Sequence, residues 1–186
     1  MSTFQADGGK DVHKALELSG EPLVPGAFVG RPETEIDVYE YWQLTLARTA
    51  FATKYLEKWN QTKDLTWTGR PVDGILSPVS ALPAYPHEFQ LSIGYTAISN
   101  ALQLSSVIVP VIRVDPQLDQ LTDQYRNIEL ISELDEAARN VYKGPEVFEN
   151  CVVGLQIMCR RLEEEKALGM ALVLEQALSS YRSANL

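Results

Sequence analysis

The sequence predicts an α/β fold, and three observations carry that reading. The run at 107–114 is strongly β-branched and the run at 152–158 is predominantly apolar, as strands buried in a sheet are. The stretches 38–60 and 162–181 keep apolar residues at helical spacing for several turns. A strand at 72–78, a loop, a helix at 94–104 and the strand at 107–114 follow in the order of a crossover unit, for which right-handed connection of parallel strands is the default.

The elements can be justified in order. Residues 7–18 form a short helix stopped by Ser19-Gly20, with Pro22 beyond. Residues 21–32 are rich in Gly and Pro and form a loop. Asp37 caps the first long helix, and Glu40 three residues later completes a capping box. Leu44, Ala47, Phe51, Tyr55 and Trp59 make one apolar stripe on it, expected to pack on a core. The strand at 72–78 ends at Pro78. Pro83 and Pro86 exclude a helix interior over 81–89, which becomes an ordered loop at the strand's carboxyl end. Pro110 removes a ladder donor, so the strand at 107–114 requires a bulge there or a short paired section. Residues 115–150 are the least regular, with a thin apolar stripe (Leu134, Ala138, Val141) marking a helix over 131–142. Glu163, Glu164 and Glu165 open the last helix, where carboxylates suit the positive end of its dipole. From 167 to 174 that helix is apolar on most sides, which predicts burial on more than one face.

Bulk properties narrow the function. The chain has 186 residues, 45% hydrophobic and 22% charged, and is expected to form a single domain, 1–186. A net charge of -9 repels nucleic acid and anionic membrane, so neither is expected as a partner. Cys151 and Cys159 lie ~26 Å apart on an extended strand and cannot pair. With only His13 and His87 and no C-x-x-C, neither a zinc site nor a cofactor is expected. The N-terminus has no signal-peptide pattern and no apolar run reaches bilayer length, which predicts a cytoplasmic protein.

Several segments, each weak alone, are colinear with one family. They are Ala6-Asp7-Gly8-Gly9-Lys10-Asp11-Val12, Leu18-Ser19-Gly20-Glu21-Pro22-Leu23, Glu40-Tyr41-Trp42-Gln43-Leu44 and Gly69-Arg70-Pro71-Val72-Asp73-Gly74-Ile75-Leu76-Ser77-Pro78. Gly94-Tyr95-Thr96, Val109-Pro110-Val111 with Arg113-Val114-Asp115-Pro116, and the closing 153–165 stretch complete the series. Together they resemble the C-terminal portion of the amidase-signature enzymes of the fungal acetamidase type. The resemblance implies part of an α/β/α sandwich on a mixed sheet, and a hydrolase of the carbon–nitrogen bonds of linear carboxamides. It also implies that the catalytic serine, a second serine in a cis peptide and a lysine come from a Gly/Ser-rich segment N-terminal to everything matched here. The chain departs from the family pattern at Asn150-Cys151-Val152, where a Gly-Ala/Leu-Pro lead is usual, and at Cys159, where a glycine is usual.

No residue of this chain is therefore expected to be catalytic. Ser105-Ser106 lacks flanking glycines, so its backbone does not form an oxyanion nest. It reads as a strand start. Asp7-Gly8-Gly9-Lys10 lacks the preceding strand and the terminal Lys-Ser/Thr of a phosphate loop. Ligands of open α/β sheets sit outside the carboxyl ends of strands, which makes Ser80, Pro86, His87 and Tyr95 the candidates for a substrate-pocket wall. Three functions follow: a portion of an amidase, inactive alone, whose partners are a small carboxamide and either a complementary N-terminal fragment or a second copy; a non-catalytic binding protein derived from that family; and a small independent serine hydrolase using His87, although no Gly-x-Ser-x-Gly elbow exists.

Overall fold

The computed structural model describes residues 3–86 and 94–184, in two compact units. One runs from residue 3 to Arg70 and the other takes Pro71–Pro86 with residues 94–184.

The first unit carries α1 (Lys10–Ser19) and α2 (Val38–Gln61). Gly9, at φ 72, begins α1, and Gly20, at φ 73, ends it. A Cβ on Gly9 would lie 2.3 Å from the Gly30 carbonyl oxygen. Asp7 Oδ1 accepts from the Gly9 N–H at 2.9 Å, and His13 Nε2 sits 3.0 Å from the Gly30 oxygen. The Asp7-Gly8-Gly9 segment is thus a close crossing of two backbones, which only glycine permits. The capping box on α2 forms as expected: the Glu40 N–H donates to Asp37 Oδ1 at 2.8 Å, and the Asp37 N–H to Glu40 Oε2 at 3.3 Å. The apolar stripe behaves otherwise. Trp59 is buried, but Phe51 is 48% exposed. The stripe's aromatics stack along the helix, with Phe51–Tyr55 centroids at 6.4 Å and Tyr55–Trp59 at 6.2 Å. Helical spacing brings i and i+4 rings together whether or not a second surface covers them.

The second unit is built on a three-stranded sheet ordered β1-β3-β2: β1 is Ile75–Pro78, β2 is Ser105–Arg113 and β3 is Val152–Cys159. Both pairings are antiparallel. The crossover β1–α3–β2, with α3 at Gly94–Leu102, therefore joins two strands of one direction with β3 between them. Pro110 pairs with Gly154 and Ile112 with Val153, so Val111 bulges out. An edge strand with a bulge beside the proline tolerates its missing donor.

One sheet face holds the core. Val109, Ile157 and Cys159 pack with Ala167 and Ala171 of α6 (Glu164–Ala184), flanked by Val107, Met170 and Leu174. Gly74 admits α6 to this face: a Cβ there would stand 2.9 Å from Met170 Cε and 3.2 Å from Cys159 Sγ. On the other face Ser106 Oγ donates to Ser99 Oγ of α3 at 2.9 Å. The layers are helix, sheet, helix, the sandwich expected. Among the described residues, α6 is not buried on more than one face. Alanines 167 and 171 meet the sheet, while Leu168, Leu172 and Val173 on the helix's other sides stay exposed.

The irregular region contains α4 (Asp123–Arg126) and α5 (Glu133–Val141). Tyr125, Tyr142 and Phe148 organise it, with centroids 5.7 Å apart for the first pair and 5.3 Å for the second. Burial, then the neighbouring Tyr125, Asp119 and Glu146, raises the Tyr142 phenol above its ordinary pKa.

Candidate functional site

The loop at the carboxyl end of β1 is ordered by its own side chains. Ser80 Oγ donates to the Tyr85 hydroxyl at 2.8 Å and accepts from the Leu82 N–H at 3.2 Å. Gln156, from the central strand, then fixes the loop's base. Its Nε2 lies 3.1 Å from Ser77 Oγ, 3.2 Å from the Pro78 oxygen and 2.5 Å from the Tyr95 oxygen. One buried amide thus ties the end of β1 to the first turn of α3. Its sequence signal is a lone glutamine in an otherwise apolar strand, and buried polar groups of this kind are hydrogen-bonded.

Three of the four predicted pocket residues are described. Ser80 is half-buried and holds the loop; Pro86 and Tyr95 are exposed, the latter meeting Gln156 through its carbonyl. His87 lies outside the described residues. The concave feature of this region is lined instead by the next two residues of the loop, Ala81 and Leu82, and by Tyr125, Ile128, Ile131 and Ala138. It is a cleft of about 480 Å³, within the range of small-molecule sites. Sequence reading missed it because its walls lie more than 40 positions apart, in a region without regular periodicity.

The polar side chains beside the sheet are engaged in holding the fold. Burial, with Glu163 next in weight, pushes the Cys159 thiol up, so a reactive thiolate is disfavoured. Ser105 Oγ donates to Glu164 Oε1 at 2.9 Å and accepts from the Glu163 N–H at 3.1 Å. It closes the start of α6 from 59 positions away, as an N-cap residue does locally. Lys166 bonds Glu163 Oε1 at 2.7 Å and lies 3.7 Å from Asp73. That hydrogen bond holds the Glu163 carboxyl below its ordinary range and the Lys166 ammonium above its own. Among the described residues no group of three or more His, Cys, Asp or Glu is placed to hold a metal. No helix among them is long and apolar enough to cross a membrane.

No family model matches the chain. Individual proteins do. An acetamidase of Aspergillus oryzae is 34% identical over 170 residues, covering 90% of this chain and 30% of that protein. An amidase of Gibberella zeae is 33% identical over 184 residues, covering 96% of this chain and 33% of that one. The solved structure of a fatty acid amide hydrolase superposes with a TM-score of 0.73 at 25% identity, over 94% of this chain and 30% of that chain. The likeness to amidases thus runs over nine-tenths of the chain. The chain spans about a third of the length of the curated relatives it matches. The described serines near the sheet, Ser77, Ser80, Ser99, Ser105 and Ser106, are bound in structural hydrogen bonds.

Proposed function

We propose that this chain is the C-terminal portion of a hydrolase of linear carboxamides, supplying part of the sheet, its covering helices and one wall of the substrate site, and that it is inactive by itself. One observation carries the reading: the likeness to amidases runs over nine-tenths of the chain, yet the sequence contains no Gly-Gly-Ser-Ser-Gly-Gly motif. The nucleophile, the second serine and the lysine then belong to other polypeptide. The bare side of α6 supports this, since apolar surface of that kind marks a missing partner, as does a sheet whose outer strands have no further strand beside them among the described residues. A complementary N-terminal segment or, failing it, a second copy covers these surfaces.

The test is turnover of a panel of small linear amides by the purified chain, alone and mixed with the N-terminal segment of a fungal acetamidase. No ammonia release alone and release on mixing is the expected outcome; robust hydrolysis by the chain alone defeats the proposal and revives a hydrolase built on His87. The cleft favours a second reading, a non-catalytic binding protein. That reading requires ligand binding by the chain with no gain of turnover on mixing.

A further inference from the structure

We infer that the cleft between the loop after β1 and α5 binds the apolar part of an uncharged amide and disfavours the corresponding carboxylate. The substrate class rests on the hydrolase reading above; the geometry does not. Leu82, 7% exposed, is seated in the wall, while Ile128 and Ile131 stand at the rim, 56% and 90% exposed. Aliphatic side chains bared around a concave surface, with a few polar groups between them, describe a small-ligand site better than a solvated face. The loop wall is set in advance by the Ser80–Tyr85 bond, so little ordering cost attends binding.

The charges around the cleft decide what enters. Arg139 is its cation, and it is turned to the backbone. Its Nη2 donates to the Tyr125 carbonyl at 2.7 Å and more weakly to that of Ile128 at 3.4 Å, and the guanidinium lies 5.5 Å from the Tyr125 ring centroid. Asp135 accepts from the Ile131 N–H at 3.2 Å and, with Glu129, adds two carboxylates to the lining. The local balance is negative, within a chain of net charge -9. A neutral amide enters such a site without penalty, whereas an anion is repelled. Hydrolysis adds water across the carbon–nitrogen bond of the amide and leaves a carboxylate and an ammonium ion. The site therefore favours the reactant and releases the acid product.

Methyl-resolved NMR of the 186-residue chain tests this with hexanamide and hexanoate as probes. Hexanamide is expected to shift the methyl signals of Leu82, Ile128 and Ile131, and hexanoate to need about tenfold more for the same effect, equivalent to ~1.4 kcal/mol. Ile131→Glu should weaken hexanamide about tenfold, whereas Leu118→Glu, at a position 82% exposed outside the cleft, should leave binding unchanged. Absence of shifts at the cleft methyls, equal affinity for the two probes, or undiminished binding by I131E overturns the inference. If these fail while the recombined protein still hydrolyses amides, the cleft is not a substrate site but the hydrolase reading stands. If they succeed and recombination yields no turnover, the cleft stands without it.

Discussion

Replacing Ser105 with alanine isolates the contact that fastens α6 to the sheet. Ser105 is 6% exposed, and its hydroxyl meets the Glu163 N–H at 3.1 Å and Glu164 Oε1 at 2.9 Å. Losing an N-terminal cap costs about 1 kcal/mol. Glu164 is exposed and re-solvates, so its lost bond adds only about 0.5 kcal/mol. The sum, roughly 1.5 kcal/mol, corresponds to about 3–6 °C in Tm for a chain of this length. The assay is thermal and urea unfolding followed by helical circular dichroism. Ser106→Ala is the internal control. Ser106 is exposed, and among the described residues its hydroxyl bonds Ser99 Oγ, so its loss should stay within about 0.5 kcal/mol. Equal effects of the two replacements, or no effect of Ser105→Ala, would refute the reasoning that the tandem serine is an asymmetric structural device.

Other positions make independent predictions. Gly74→Ala drives a methyl to 2.9 Å from Met170 Cε and 3.2 Å from Cys159 Sγ, and should destabilise by about 1–3 kcal/mol in denaturant titration. Gln156→Leu removes the amide shared by the Pro78 and Tyr95 carbonyls; a loss of about 2–3 kcal/mol is expected, with slower-moving changes absent from α1 and α2 in hydrogen exchange. The Glu163 carboxyl has its folded pKa lowered, first by the Lys166 hydrogen bond. Its contribution to stability is therefore present above the unfolded glutamate range and disappears as pH falls through the lowered folded value. The Lys166 partner is 39% exposed, so solvent screening holds the effect to about 0.5 kcal/mol. Glu163→Gln should flatten that acid-side slope in pH-dependent melts while leaving the neutral-to-basic region nearly unchanged.

Where local chemistry decides the outcome, the sequence was legible. The Asp37/Glu40 box sets the start of α2, the β-branched run at 107–114 becomes an edge strand, and Pro110 forces the bulge at Val111. The break after Cys159 into α6 follows from residues within a few positions. Colinear motifs carried the family even though no single one is specific. What stayed hidden depends on partners distant in the chain. The Ser105 cap, the Gln156 tie and the Tyr125–Tyr142–Phe148 stack join segments that periodicity cannot relate. The exposure of Phe51 and of Leu172 shows the complementary failure. An apolar stripe reports that a surface is suited to burial, not that this chain provides the cover. The loop after β1 was legible from its prolines, but the cleft beside it uses Ala81 and Leu82 with the irregular segment opposite, which hydrophobic spacing did not single out.

The most direct measurement is covalent. The purified 186-residue chain is incubated with a serine-reactive fluorophosphonate and its intact mass recorded, before and after mixing with an acetamidase N-terminal segment. No adduct on this chain is expected in either case, and an adduct on the added segment is expected in the mixture. A stoichiometric adduct on a serine of this chain, accompanied by amide turnover, would contradict it.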